Sequence, residues 1–157
     1  MDFFDVIRVM AIAASPISEL RGAIPFAMGY YHFPWYSAFL IAVIGNLIPI
    51  PFILLFLEAV SKLIDRVPHL NRLQRWLFTR VLRRGKLVER YERIGLALFV
   101  AIPLPITGAW TGSILAVLLG LRRSYAFLSM AIGVILAGII VTSAVTFGWH
   151  LITLFPG

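Results

Sequence analysis

The hydrophobic pattern divides the chain into two similar halves separated by a polar stretch. Two long apolar segments, Val9–Tyr31 and Ile94–Leu121, are interrupted near their middles by proline and hydroxyl residues. A further apolar run follows each of them, at Trp35–Ser61 in the first half and Tyr125–Phe147 in the second. About 20 apolar residues are enough to cross a bilayer as a helix. The pattern therefore predicts two full membrane spans, each preceded by a broken segment.

The interruptions repeat at nearly constant spacing. Ser15-Pro16-Ile17-Ser18 and Leu104-Pro105-Ile106-Thr107 each hold proline, isoleucine and a hydroxyl residue in that order, and the two prolines are 89 residues apart. The pattern Ala-Phe-Leu-x-x-x-Ile-Gly follows at 38–45 and again at 126–133, an offset of 88 residues. Broken hydrophobic segments at matching positions of two halves are the best sequence indication of a mid-membrane transporter site. We therefore predict an internal repeat with its functional site at the interruptions.

The first predicted span is longer than a bilayer is thick. Trp35–Ser61 would extend about 40 Å as a helix, whereas the hydrocarbon core measures about 30 Å. Pro49 and Pro51 each lack a backbone donor and so predict a kink.

The polar stretch, residues 62–93, carries the charge of the chain. It holds ten lysines and arginines against three acidic residues, which leaves +7, the formal net charge of the whole protein. Cytoplasmic loops are enriched in these basic residues, so we expect a cytoplasmic connector in a multi-pass protein of the inner (cytoplasmic) membrane. Leu70, Leu73, Leu77 and Val81 recur at helical spacing. Residues 70–84 are thus predicted to form a basic amphipathic helix on the anionic leaflet, or alternatively a solvated helix that touches only protein.

Arg122 and Arg123 distinguish between two topologies. If Ile94–Leu121 crossed the membrane, both arginines would lie opposite the basic connector, against the positive-inside rule. A segment that dips into the bilayer and returns keeps them cytoplasmic, and by analogy the first broken segment enters from the external side. The alternative is four ordinary spans with proline kinks.

The predicted fold is an all-α integral membrane protein with two opposed re-entrant helical hairpins, each followed by a transmembrane helix. This arrangement is an inverted repeat, as used by alternating-access transporters. We expect one membrane domain over residues 1–157, with half-repeats at 1–61 and 94–157 joined by the connector at 62–93.

Composition excludes several functional classes. The chain is 61% hydrophobic with a mean hydropathy of +0.94, and it contains no cysteine. Its three histidines, at 32, 69 and 150, have no metal-ligand spacing. No nucleophile–base pair is evident, and the basic stretch lacks the features of a nucleic-acid reader. We therefore predict no enzyme, no metal, no cofactor and no nucleic-acid partner.

Glu19 and Arg21 are the most informative polar residues. A charged side chain at membrane depth costs on the order of 2.5–3.5 kcal/mol, so such residues are usually paired and functional. Residues two apart on a helix point in different directions; either Ser18–Gly22 is not helical, or each charge has its own partner. Unwound backbone is favoured by three neighbouring residues, Pro16, Gly22 and Pro25. We predict that Arg21 binds an anionic group and Glu19 carries a proton; the alternative is a solvated turn near the external surface.

The second interruption is uncharged but rich in hydrogen-bonding groups. Thr107, Trp110 and Thr111 offer hydroxyls and an indole N–H, and the backbone is opened by prolines and glycines at Pro103, Pro105, Gly108 and Gly112. Donors that converge at the start of a helix form an anion site, which Arg21 would complete. Alternatively, the small residues only allow close helix packing.

Three further polar residues are weaker candidates. Asn46 lies inside the first predicted span and needs a partner or a cavity. Glu58 precedes Lys62 by four residues, which is the spacing of a helical ion pair. Thr142 can donate a hydrogen bond to its own helix backbone.

The two interruptions resemble the hallmark stretches of the bacterial and archaeal small multidrug export protein family. The resemblance rests on Glu19-Leu20-Arg21-Gly22-Ala23-Ile24-Pro25 and on the stretch from Pro103 to Gly112. More distantly, the layout resembles the DedA/VTT superfamily, whose members are implicated in moving lipids such as undecaprenyl phosphate. In DedA proteins arginines flank the proline of the second hairpin, whereas this chain has Val100 and Ile106 at those places.

These observations lead to three functional hypotheses. The first is a transporter of an anionic amphiphile, specifically a lipid-linked phosphate moved in a DedA-like, proton-coupled way. The second is a proton-coupled exporter of cationic amphiphiles, with Glu19 binding the cargo. The third is a non-transporting membrane scaffold whose basic helix recruits partners. A homodimer is expected because a single chain encloses little space.

Overall fold

The computed structural model describes residues 2–64, 92–103 and 107–154, and the regular structure in these ranges is helical. The connector helix predicted at 70–84 and the second interruption's Pro105 lie outside the described residues. Within the described ranges, seven helices follow in chain order: α1 (Phe3–Ala14), α2 (Glu19–Gly29), α3 (Trp35–Leu47), α4 (Pro49–Ile64), α5 (Glu92–Ala101), α6 (Ala109–Leu118) and α7 (Arg123–Leu154).

Both broken segments form pairs of short helices. The break between α1 and α2 is closed by Ser15, whose hydroxyl donates to the Ile12 carbonyl at 2.9 Å and accepts from the Ser18 amide at 3.3 Å. Pro16 follows directly and interrupts the helical hydrogen bonding. Each of the four helices has 10 to 12 residues. Such helices are about 15–18 Å long, roughly half the bilayer core, as the apolar pattern predicts.

The two predicted spans are present as long apolar helices. By length and composition, Trp35–Val60 and Arg123–Leu151 are able to cross a membrane. The first is interrupted at Ile48, where α3 ends and Pro49 begins α4. Proline is well suited to the first position of a helix because its missing N–H would have had no partner there. The helix is therefore interrupted where the prolines predict a kink, and the two predicted spans are present as candidate membrane helices.

The helices form two groups with the same internal contacts. In the first group α1, α2 and α3 touch one another, and in the second α5, α6 and α7 do so. The repeated motif supplies an equivalent glycine in each. A Cβ on Gly45 of α3 would lie 2.7 Å from the Met10 carbonyl oxygen of α1, and one on Gly133 of α7 would lie 2.6 Å from the Ala97 carbonyl oxygen of α5.

The distribution of polarity is that of a bilayer protein. Small alanines pack between the helices of the core, where close approach of backbones is favourable in lipid. Large apolar side chains of α4 and α7 face outward, among them Phe52, Phe56, Leu128 and Ile132. Among the side chains that the structure describes, five polar ones are buried, and they are Glu19, Asn46, Ser113, Ser129 and Thr142.

Glu58 has a partner that the sequence analysis did not predict. Its carboxylate contacts the Arg123 guanidinium at the start of α7, while the side chain of Lys62 lies outside the described residues. This contact brings the end of α4 and the start of α7 to the same end of the molecule. The first residues of the basic connector therefore lie close to Arg123.

Candidate functional site

The two interruptions meet at Glu19. This residue begins α2, is only 5% exposed, and has a backbone φ of 46°. The left-handed region is unfavourable for a residue with a side chain, and such conformations concentrate at functional sites. Among the described residues, Glu19 is the one buried acidic side chain.

Both carboxylate oxygens of Glu19 have partners. Oε1 accepts a hydrogen bond from the Trp110 backbone N–H at 3.4 Å, at the start of α6. Oε2 lies 3.7 Å from Nη2 of Arg21. Negative charge is stabilised at a helix N-terminus by the unpaired N–H groups and the helix dipole. The carboxylate is therefore held by α6 and by the arginine together.

The local structure around these charges agrees with the prediction only in part. We expected either that Ser18–Gly22 is not helical or that each charge has its own partner; α2 begins at Glu19 and contains Pro25 within it, but the backbone of Glu19 itself is left-handed. Glu19 and Arg21 pair because the left-handed φ of Glu19 departs from helical geometry. Residues two apart on an ideal helix cannot pair, but this rule does not apply when the first of the two, here Glu19, has a non-helical backbone.

Gly108 is in direct contact with this carboxylate. A Cβ built at Gly108 would overlap Oε2 of Glu19, so any larger residue would force the carboxylate to move. Glycine at this position of the second interruption therefore leaves the space that the carboxylate occupies.

Trp110 forms a second link between the interruptions. Its indole Nε1–H donates to the Ala14 carbonyl at 3.1 Å. Ala14 is the last residue of α1, so its carbonyl has no partner within that helix. Trp110 therefore bonds to both sides of the first interruption, through its backbone at Glu19 and its side chain at Ala14.

A small cavity of about 10 Å³ lies beside Glu19. Arg21, Asn46 and Thr107 are among the residues that line it. Asn46 is 2% exposed, and its Oδ1 has no hydrogen-bond partner among the described residues. A volume of about 10–15 Å³ suits a single water molecule. Asn46 was expected to need a hydrogen-bond partner or a cavity, and its side chain lines this cavity.

The two predicted threonines bond to their own segment. The Thr107 hydroxyl donates to the Ile102 carbonyl, and the Thr111 hydroxyl donates to the Gly108 carbonyl at 3.3 Å. The predicted anion-binding groups, Arg21 and the start of α6, do come together. The group they contact is the Glu19 carboxylate of the same chain.

The remaining predicted break residues have packing roles. A Cβ on Gly22 would lie 2.8 Å from the Ser18 Cβ, and one on Gly112 would lie 2.7 Å from a Val100 methyl. Pro103 lines the cavity beside Glu19.

The sequence did not indicate a second, larger pocket, here called the aromatic pocket. Its volume is about 830 Å³, and its lining comes from α2, α3 and α7. The residues are Met28, Trp35, Phe39, Ile139, Thr142, Ser143, Thr146, Phe147, Trp149 and His150. We expected the Thr142 hydroxyl to donate a hydrogen bond to its own helix backbone. This expectation is wrong, because the hydroxyl has no hydrogen-bond partner among the described residues.

Comparison with known proteins identifies the family. No curated protein and no solved structure matches the chain. A family sequence model described as "Putative small multi-drug export protein" matches residues 19–140, which begin directly after the first interruption and include the second interruption and both candidate spans up to Ile140. The match covers more than three quarters of the 157 residues. Together with the two apolar helices it indicates a membrane protein. The chain therefore belongs to this family, whose name denotes an export protein rather than an enzyme.

Proposed function

We propose that the protein is a proton-coupled exporter of small amphiphilic molecules and that Glu19 carries the proton. The observation behind this proposal is that one buried carboxylate connects the two interruptions through the Trp110 amide. Intramembrane ionisable groups commonly belong to proton relays or substrate paths.

The proposed mechanism follows from the two charge states of Glu19. The ionised carboxylate attracts Arg21 and the N-terminus of α6, and so holds the interruptions together. A proton on Glu19 removes its charge, which abolishes the ion pair and weakens the bond from Trp110. A water in the cavity beside Asn46 would give the proton a route to the carboxylate. Protonation then allows the two halves to separate and expose the site to the other side of the membrane.

We further propose that the interruptions are the tips of re-entrant hairpins that enter from opposite faces. Arg8 donates to the Tyr31 hydroxyl at 3.5 Å, which supports a return of the first hairpin to the end where it began. Pro103 and Ala137 line one cavity, which supports a second tip at the level of the middle of α7. The contact between Arg123 and Glu58 supports a cytoplasmic location for both, beside the connector in the inner membrane.

A second candidate is export of an anionic amphiphile, such as a lipid-linked phosphate, in the manner of the DedA/VTT proteins. It is favoured by one observation, that Arg21 and the start of α6 already bind a carboxylate. Protonation of Glu19 would release these donors for a phosphate head group. Residues 70–84 would then attract anionic lipids, and a homodimer would enclose a larger path.

The test is transport into proteoliposomes under an imposed pH gradient. We expect Glu19→Gln to lower gradient-driven transport of ethidium at least about tenfold, because glutamine cannot exchange a proton. The matched control is Glu58→Gln, which alters an acidic residue at the molecular surface and should retain transport.

Two further arms separate the candidates. With a fluorescent isoprenyl phosphate as cargo, gradient-driven transport that requires Arg21 would favour the anionic candidate. Transport of either cargo that persists in Glu19→Gln with its full dependence on the gradient would disprove the proton-carrier role.

A further inference from the structure

The aromatic pocket has the size and lining of a small-molecule site. Pockets of about 300–1,000 Å³ lined by apolar side chains with a few polar groups typically hold drug-sized ligands, and this pocket measures about 830 Å³. Two tryptophans and two phenylalanines contribute large flat surfaces to it, at Trp35, Phe39, Phe147 and Trp149.

A buried hydroxyl lacks a partner in this pocket. Thr142 is 7% exposed, and its Oγ1 has no hydrogen-bond partner among the described residues. Its own carbonyl already accepts from the Thr146 hydroxyl at 2.8 Å. A buried polar atom without a partner is unfavourable, so a ligand or a water that bonds to Thr142 would be stabilised here.

The charge of the lining restricts the ligand. The described residues that line the pocket include no lysine, arginine, aspartate or glutamate. An anion in a membrane site needs a positive partner, and this lining offers no permanent one, since the imidazole of His150 is positive only when it is protonated. A cation is stabilised by the faces of indole and phenyl rings, most strongly by tryptophan. The composition therefore favours a lipophilic cation over an anion.

The pocket is close to the site at Glu19. The same helices, α2, α3 and α7, line both spaces. Between them the ring of Phe39 packs on Gly138, where a Cβ would lie 2.8 Å from the ring. A ligand in the pocket would thus contact the helices that hold Glu19 without touching the carboxylate.

We propose that the aromatic pocket is the binding site for lipophilic aromatic cations. The inference rests on the proposed export function and assigns to it both a substrate class and a site. Binding in the pocket does not require Glu19, which leaves that residue to the proton.

The experiment uses two ligands of nearly equal shape and opposite charge, tetraphenylphosphonium and tetraphenylborate. Affinity is measured by titration calorimetry on the purified full chain in detergent, with no pH gradient. Ser143 lines the pocket and is exposed, so Ser143→Lys and Ser143→Asp should fold. The matched control is Ser124→Lys, which places the same charge at an exposed position at the other end of α7.

We expect Ser143→Lys to weaken tetraphenylphosphonium binding at least about tenfold through charge repulsion in a site of low dielectric constant. Ser143→Asp should keep or increase the affinity for tetraphenylphosphonium, and Ser124→Lys should change it less than about twofold. Thr142→Val should lower the affinity for a ligand that has a hydrogen-bonding group, such as ethidium. Tetraphenylphosphonium binding that is unaffected by Ser143→Lys would overturn the proposal, as would tetraphenylborate binding that is weakened equally. Binding is measured without a gradient, so it does not depend on the proton-carrier role of Glu19. If the Ser143 variants contradict the pocket while transport still depends on Glu19, only the pocket proposal is refuted. If the Ser143 variants behave as expected but transport does not depend on Glu19, only the proton-carrier role is refuted.

Discussion

At the scale of single residues, Gly108 provides the sharpest test of the meeting of the two interruptions. Its missing side chain leaves the space that the Glu19 carboxylate fills, since a Cβ would lie 1.9 Å from Oε2. We expect Gly108→Ala to destabilise the protein by about 1–3 kcal/mol, the usual cost of overpacking. Thermal unfolding in detergent measures this change.

A double-mutant cycle shows whether the carboxylate is the cause. In a Glu19→Ala background the obstructing atoms are absent, and Gly108→Ala should then cost less by at least about 1 kcal/mol. Equal destabilisation in both backgrounds would mean that Gly108 is required for backbone reasons unrelated to Glu19.

Glu19 and Arg21 could be identified as candidates from the sequence, but their geometry could not be predicted. Charge inside an apolar segment marks both residues, and the reasoning needs only hydropathy. Their pairing at 3.7 Å depends on a left-handed φ at Glu19. Backbone conformations of this kind are set by tertiary contacts, here with Gly108 and Trp110, and these residues are about 90 positions away.

At the scale of elements, the repeated glycines explain why the same motif occurs in both halves. Gly45 and Gly133 each let a long helix approach the backbone of the short helix that precedes an interruption. We expect Gly45→Ala and Gly133→Ala to lower stability by similar amounts, about 1–3 kcal/mol each, because the helices must separate. Thermal unfolding again measures the effect.

The control for these variants is Gly148→Ala. This glycine lies in the same long helix as Gly133, and a Cβ there has no heavy atom within 4 Å. Alanine should be neutral or stabilising at that position, by up to about 1 kcal/mol, since it favours the helix. If Gly133→Ala were as harmless as Gly148→Ala, the close approach of α5 and α7 would be incorrect.

The positions of the helices were the most predictable part of this structure. Proline and serine placed the break between α1 and α2, and apolar length placed the two spans, because both signals are local in sequence. The aromatic pocket was not predictable, since it needs Met28, Trp35 and Trp149 from three different helices. The hydrophobic pattern does not specify that these three helices become neighbours.

At the scale of the whole molecule, the positions of the charged residues bear on how the bundle lies in the membrane. Arg123 contacts Glu58 near the start of the basic connector. His32 lies just before Trp35, at the other end of the Trp35–Val60 helix. A helix of 26 residues extends about 39 Å, enough to separate these two ends by a full bilayer. Four ordinary spans would instead place Arg122 on the side opposite the connector.

Single cysteines measure this orientation directly, because the chain contains none of its own. Position 32 and position 122 are both exposed, so His32→Cys and Arg122→Cys should react readily with a membrane-impermeant maleimide. We expect His32→Cys to react only in right-side-out vesicles and Arg122→Cys only in inside-out vesicles, because the positive-inside rule places the connector in the cytoplasm. Thr107→Cys, at the second interruption, should react slowly from either side, and its rate should rise when cargo or a pH gradient moves the halves apart. Reaction of position 122 from the external side would exclude opposed hairpins and, with them, the mechanism in which Glu19 joins two tips at mid-membrane.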